Sequence, residues 1–329
     1  METALTRRLG VEIPLICGAM YPCSNPELIA AVSAAGGVGI VQPLSLIYVH
    51  GLDLRAGLRR ISEATDRPVG FNAIVEKSSR IYEERMRRWV DIAIEEGVRF
   101  FITALGNPRW VVERAHAVDG TIYHDVTERR WALKALEHGV DGLICVNDRA
   151  GGHSGHLGAG PLFEELADLD VPLICAGGVG DATAFVEAIR LGYAGAQLGT
   201  RFIATEECNA HPDYKRAIVD AGADDIVLTD RLSGVPCSII RTPYVAKSGT
   251  SAGFVARRLL RGRHTKHLMR TLYALRSLRQ LKLAALRGLS YRDFWQAGKS
   301  VETISRVEPA ADVVRRFAEA LDRSNLAKA

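Results

Sequence analysis

The sequence predicts a (β/α)8 TIM barrel carrying a mostly helical insertion over the C-terminal face of its strands. Short apolar runs alternate with amphipathic helical stretches as far as Thr200, the pattern of a parallel sheet built from βαβ units. Eight such runs occur, at spacings of roughly 20 to 31 residues. No Gly-x-Gly-x-x-Gly follows the first run, so the competing open, doubly wound sheet lacks its dinucleotide fingerprint.

The first run, residues 14–20, leads into Asn25-Pro26-Glu27, where Asn as N-cap and Pro at the first helical position start a helix over 27–35 that stops at Gly36-Gly37. The run 38–41 is followed by a helix over 52–64, 69–74 by 82–96, and 98–104 by 108–116. The run 121–126 precedes a helix over 128–138, 140–146 one over 161–169, and 171–176 one over 181–191, while 194–198 completes the set. Beyond Thr200 the alternation stops. Residues 1–204 and 301–329 are therefore assigned to the barrel, with an amphipathic helix over 309–321 closing the ring, and 205–300 to an insertion over the mouth.

A hydrophobic content of 47% with 24% charged residues is that of a soluble globular protein. The first nine residues are polar, with Arg7 and Arg8, and no apolar run approaches the roughly 18 residues a membrane span needs, so the expected compartment is the cytoplasm. The six cysteines stand singly, without a Cys-x-x-Cys pair, which argues against a zinc site or a disulfide framework. Cys17, Cys145 and Cys175 each end a Leu-Ile-Cys string and read as buried strand residues. The net charge of +4 is concentrated: residues 257–292 hold eleven Lys or Arg and no acid, leaving the remainder net acidic, which makes no case for nucleic acid.

In such a barrel, chemistry sits at the C-terminal strand ends. Arg149 to Gly160 carries five glycines from Gly151 onward, with His153 among them, directly after the apolar run Leu143-Ile144-Cys145-Val146. Glycines without a Cβ let backbone approach a flat or phosphorylated ligand, and a histidine there is placed to meet it; a mobile surface loop with incidental histidines is the plainer alternative. Gly177-Gly178 and Gln197-Leu198-Gly199-Thr200 end the last two strands, the usual phosphate cradle of these barrels, or else simply tight turns. His153 and His156 form a His-x-x-His pair, but no acidic or cysteine ligand follows at metal spacing, so no metal is expected. Ser154, flanked by His153 and Gly155, is not a nucleophile elbow.

Six motifs in order carry a family resemblance: Ile16-Cys17-Gly18-Ala19-Met20, Gly70-Phe71-Asn72, Ala150-Gly151-Gly152-His153-Ser154-Gly155, Ala176-Gly177-Gly178, Gln197-Leu198-Gly199-Thr200-Arg201-Phe202 and Trp295-Gln296-Ala297-Gly298. Together they resemble the nitronate monooxygenase family, formerly 2-nitropropane dioxygenases, which takes in flavin-dependent enoyl-acyl-carrier-protein reductases and NADH:quinone reductases. The resemblance implies FMN at the barrel mouth. Gly18, Ala19 and Met20 would line the flavin ring, Asn72 would bond its polar edge, and Asn147 would stand at a strand end facing it. Gly151 would permit close approach of the loop, and Gly177, Gly178, Gln197, Gly199 and Thr200 would hold the phosphate. His153 would be the acid or base beside the ring. Trp295 would stand near the substrate or behind the site; Tyr123-His124-Asp125 is individual to this chain, and His124 and Asp125 read either as a second ionisable pair at the site or as a strand-end hydrogen bond. Many relatives have a glutamine and a glutamate ahead of Ala-Gly-Gly-His where this chain has Val146-Asn147-Asp148-Arg149, which bears on the flavin contacts and on the substrate.

Leucines 268, 272, 275, 278, 281 and 286 fall near helical spacing with basic residues between them. They read as a lid helix packed on the barrel or on a second subunit of a homodimer, or as a landing surface for an acidic acyl carrier protein, a CoA phosphate or an anionic membrane. The expected activity is FMN-dependent oxidation of alkyl nitronates with O2. Two alternatives stand beside it: reduction of an enoyl thioester or a quinone with NAD(P)H, and a non-catalytic barrel that binds a phosphorylated metabolite.

Overall fold

The computed structural model describes residues 2–76, 80–232, 235–251, 281–283, 286 and 294–326. Eight parallel strands close into a barrel in sequence order, β1 (Leu15–Cys17), β2 (Val38–Val41), β3 (Val69–Ile74), β4 (Phe100–Ala104), β5 (Thr121–Val126), β6 (Gly142–Val146), β7 (Leu173–Ala176) and β8 (Gly195–Leu198), with β8 pairing back onto β1. The predicted runs each contain one strand, several shortened at the N-terminal end, where the first apolar residues still belong to the connection from the preceding helix, and β1 also at its C-terminal end, where Gly18 to Met20 pass into the loop at the mouth.

The helices that follow the strands are α2 (Pro26–Ala34), α3 (Leu54–Ala64), α4 (Arg80–Glu95), α5 (Arg109–His116), α6 (Arg129–Leu136), α7 (Ala159–Leu166) and α8 (Ala182–Leu191), preceded by the short α1 (Ala4–Leu9). Asp53 and Asp181 cap α3 and α8 through their carboxylates, and Pro26 opens α2 as the sequence predicts. Asn25 makes no side-chain cap bond; its amide instead donates to Glu27 and to the Glu207 carbonyl, fastening α2 to the chain beyond β8.

Alternation along the strands separates two cores. Outward residues such as Cys17, Val41, Phe71, Leu143, Cys145, Cys175 and Leu198 join the helix layer, and the three predicted strand cysteines are buried there. Inward residues Ile16, Ile40, Phe100, Ile102, Tyr123, Ile144 and Ile174 fill the barrel, closed below by Leu5 of α1. Gly70 is required here: a Cβ would lie 2.5 Å from Ile40 Cδ1 and 2.8 Å from Phe100 Cδ1.

After β8 come α9 (Thr200–Ile203) and α10 (Pro212–Asp220), then an antiparallel pair, β9 (Ile226–Thr229) and β10 (Cys237–Ile240), and α11 (Pro243–Ser248). The sequence shows no clear strand–helix alternation here: β9 and β10 are no shorter than several barrel strands, but they pair with each other and are not each followed by an amphipathic helix, the mark of the βα units. Leu232, Cys237, Ile239, Val245, Leu281 and Phe294 form a small separate core. The basic leucine-rich stretch lies outside the described residues except at 281–283 and 286. No helix among the described residues is long and apolar enough to cross a membrane.

The last helix, α12 (Ala310–Leu326), packs between α8 and α2 and closes the ring, with Phe317 against Phe185 at 5.4 Å between centroids. Its seat is electrostatic as well. Arg201 is 2% exposed and its Nη1 lies 3.5 Å from Glu308, while Arg316 grips the same carboxylate at 2.6 and 2.7 Å and Arg306 at 3.1 Å. Removing one partner of a buried pair leaves an uncompensated charge. Glu308→Gln is therefore expected to lower unfolding stability by about 3–5 kcal/mol in urea denaturation. Arg316, above all, holds the Glu308 carboxyl below its usual range, so its stabilisation is complete above the unfolded value of 4.5 and fades as pH falls through the lower folded value. Wild type should lose stability over that acid window and the Gln variant should not show that component.

Candidate functional site

Strand parity decides which side chains see the mouth. Gly18, Gln42, Asn72, Asp125, Ala176 and Gln197 lie on the inward face at the C-terminal ends, in phase with the barrel plug. Gly18 donates its N–H to the Leu198 carbonyl at 3.0 Å, and a Cβ there would lie 2.9 Å from Gln197 Cγ. Glycine at this point lets the Gln197 side chain lie along the β1–β8 seam. Gln197 Oε1 is buried and has no hydrogen-bond partner among the described residues. Ala19 and Met20 are half-buried beside it, and the sulfur of Met20 would stand 3.6 Å from a Cβ on Gly199. Asn72 is inward and buried on β3.

The two glycine turns are neighbours because β7 and β8 are, with Ala176 paired to Gln197. Gly177 and Gly178 take φ of +119° and +80°, where L side chains are strained. Asn147 braces this turn. It is fully buried, its Nδ2 donates to the Gly177 carbonyl at 2.9 Å, and its Oδ1 accepts from Arg149 N at 2.9 Å. It therefore does not face the mouth as expected: it shares the outward phase of Cys145, and its polar atoms are spent on backbone. Gly151 meets another backbone segment. A Cβ there would lie 2.9 Å from Gly298 N, so this glycine is required by the close contact of the two segments.

That contact explains the Trp295–Gly298 motif. Gly298 donates to Thr200 Oγ1 at 2.9 Å, and Lys299 N donates to the Arg149 carbonyl at 2.9 Å, so the segment ties the β6, β7 and β8 loops into one rim. Thr200 keeps its hydroxyl hydrogen for another acceptor. Trp295 itself is buried and stacked on Tyr214 of α10 at 5.4 Å, which places it behind the site. Sequence reasoning passed over Arg149, whose Cδ and Nε come within 3.0 Å of a Cβ built on Gly178 and whose guanidinium pairs with Glu302. A lone charge opening a glycine loop was the available signal.

The loop bearing His153 is fastened to the insertion. Ser238 of β10 donates to the Gly152 carbonyl at 2.7 Å, and Ile239 bridges to Gln296. His153 is exposed on this loop, and the protein around its ring removes enough hydration to hold its pKa below the ordinary 6.5. A neutral imidazole on this loop can accept a proton at neutral pH.

His124 and Asp125 part company. His124 has the outward phase of Ile122 and Val126, its Nδ1 lies 2.8 Å from Thr103 Oγ1, and burial, with His138, lowers its pKa to about 4. It belongs to the helix layer and not to the mouth. Asp125 points inward, and burial pushes its carboxyl up to about 7. Among the described residues no group of three His, Cys, Asp or Glu could hold a metal ion.

A family model described as nitronate monooxygenase matches residues 2–319. A (3aS,4S,5R,7aS)-5-hydroxy-7a-methyl-1-oxo-octahydro-1H-indene-4-carboxyl-CoA dehydrogenase of Mycobacterium tuberculosis is 29% identical over 78% of this chain and 72% of its own length. A probable nitronate monooxygenase of Staphylococcus saprophyticus is 27% identical over 75% of this chain and 81% of its own. The solved structure of FabK from Thermotoga maritima superposes with a TM-score of 0.80 at 26% identity, covering 99% of this chain and 98% of that one.

Proposed function

The chain belongs to the nitronate monooxygenase family of oxidoreductases, and from that premise we propose that it is an FMN-dependent enzyme that oxidises alkyl nitronates with O2. The observation that carries the reading is the pair of glycine turns on adjacent strands beside a buried, unpartnered Gln197 Oε1. A buried acceptor without a donor is costly, and a bound group with an N–H or O–H would satisfy it. Gly177, Gly178, Gly199 and Thr200 would hold the FMN phosphate through backbone N–H groups and the Thr200 hydroxyl. Gly18, Ala19, Met20 and Asn72 would receive the ring. FMN bound there supplies the electron-transfer chemistry. The chain supplies the rest: the rim orients, and His153 Nδ1 or Nε2 takes the proton from the carbon beside a nitro group when the neutral nitroalkane is offered.

A second reading, reduction of an enoyl thioester with NAD(P)H as the electron donor, is favoured by FabK and by the acyl-CoA substrate in the name of the CoA dehydrogenase among the relatives. One experiment tests both. The purified protein should be yellow, and its flavin band should bleach anaerobically on addition of propionate-3-nitronate. Bleaching by NADH instead selects the thioester or quinone reductases, and a colourless protein that takes up no FMN selects the metabolite-binding barrel.

A further inference from the structure

Asp125 has surroundings that the proposed activity does not yet use. It stands two residues beyond Tyr123 on β5, on the inward face, above the apolar plug made by Tyr123, Ile102 and Ile144. Its Oδ1 is buried and has no hydrogen-bond partner among the described residues. The loop that carries His153 lies across the end of this strand and the next: a Cβ on Gly155 would stand 2.5 Å from the Val146 carbonyl oxygen and 3.4 Å from Thr127 Cβ. A carboxyl buried this way either stays neutral or waits for a ligand to complete it.

We propose that Asp125 contacts the substrate, its neutral carboxyl donating a hydrogen bond to an anionic oxygen held at the barrel mouth. The ligand chemistry it fits is a planar oxyanion such as a nitronate. His153 would remove a proton at carbon, and Asp125 would stabilise the negative charge that then settles on oxygen; an apolar site that keeps a carboxylic acid protonated makes it a donor rather than a repelling charge. The inference rests on the FMN reading for the place of the substrate.

The groups around it do not supply a competing charge. Cys145 on β6 is kept a thiol by burial, His124 faces the helix layer as a neutral ring, and His153 on the overlying loop is neutral at neutral pH. With the carboxyl at about 7, the donor is present below that pH and lost above it.

The test uses nitrate, a planar oxyanion, titrated calorimetrically into FMN-loaded protein between pH 6 and pH 9. In wild type the nitrate Kd should rise about tenfold per pH unit once the pH is above that of Asp125. Asp125→Asn, whose amide donates at every pH, should bind with a Kd independent of pH over this range, and Asp125→Ala should bind at least about tenfold more weakly at pH 6. Flavin content and thermal unfolding of each variant are measured alongside, so that misfolding is recognised. An unchanged pH slope in the Asn variant, full affinity in the Ala variant, or no nitrate binding by flavin-loaded wild type overturns the proposal. Failure to take up FMN is seen separately in the visible spectrum; it overturns the cofactor reading and this inference with it.

Discussion

Replacing His153 by Asn is expected to lower kcat/KM for a neutral nitroalkane by about 10²–10⁴-fold while the reaction with preformed nitronate falls by less than about tenfold. The neutral substrate must lose a proton from carbon before electrons can leave it, whereas the nitronate has already lost it. His153 lies on the glycine loop over β5 and β6 and is exposed, as is His156 on the same loop, but His153 alone stands within the motif of residues 150–155; His124 is buried in the helix layer. Its pKa is lowered by loss of hydration, so the base form persists at neutral pH and disappears only as the medium turns acid. The nitroalkane rate should therefore fall on the acid side below 6.5 and the nitronate rate should not follow it. Parallel rate ratios across pH, measured by oxygen uptake with the two substrates, test the assignment, and equal losses in the Asn variant on both would remove it.

Gly177→Ala is expected to abolish FMN retention through purification and to raise the FMN Kd by at least about 100-fold, from strain of about 1–3 kcal/mol in the backbone and a similar cost of overpacking. The glycine holds φ at +119°, and a Cβ would lie 2.2 Å from Asn147 Oδ1, 2.6 Å from Ala150 N and 2.9 Å from Ala150 Cα. Two of these are backbone atoms of the loop leading to His153, which cannot swing aside as the tip of a side chain could. The turn would have to open, and with it the seat beside Gly199. Gly160→Ala provides the comparison, because that residue lies in α7 with nothing within 4 Å of an added Cβ. It should bind FMN as wild type does. Fluorescence quenching on titration with FMN measures both, and tight binding by Gly177→Ala would remove this turn from the cofactor site.

The barrel and the identity of the rim were legible because local chemistry announces them. Short continuous apolar runs, Pro26 opening α2, and glycines massed at strand ends each follow from rules that act within a few residues. Strands β9 and β10 escaped because they pair in an antiparallel ribbon and are not each followed by a helix as the equally short barrel strands are, and Arg149 escaped because a single charge opening a glycine loop is a weak signal until its neighbours are known.

What the chain order settled by itself is the eightfold alternation and the family to which its motifs point, since these depend only on the succession of residue types. What tertiary structure alone decided is direction. The side-chain period of two sends His124 and Asn147 into the helix layer and leaves Asp125 and Gln197 facing the mouth, and a one-residue difference in phase cannot be told from a list of strand-end residues. Closure did the remainder: by bringing Gly298 against Gly151 and Thr200, it turned a distant motif into a brace for the rim.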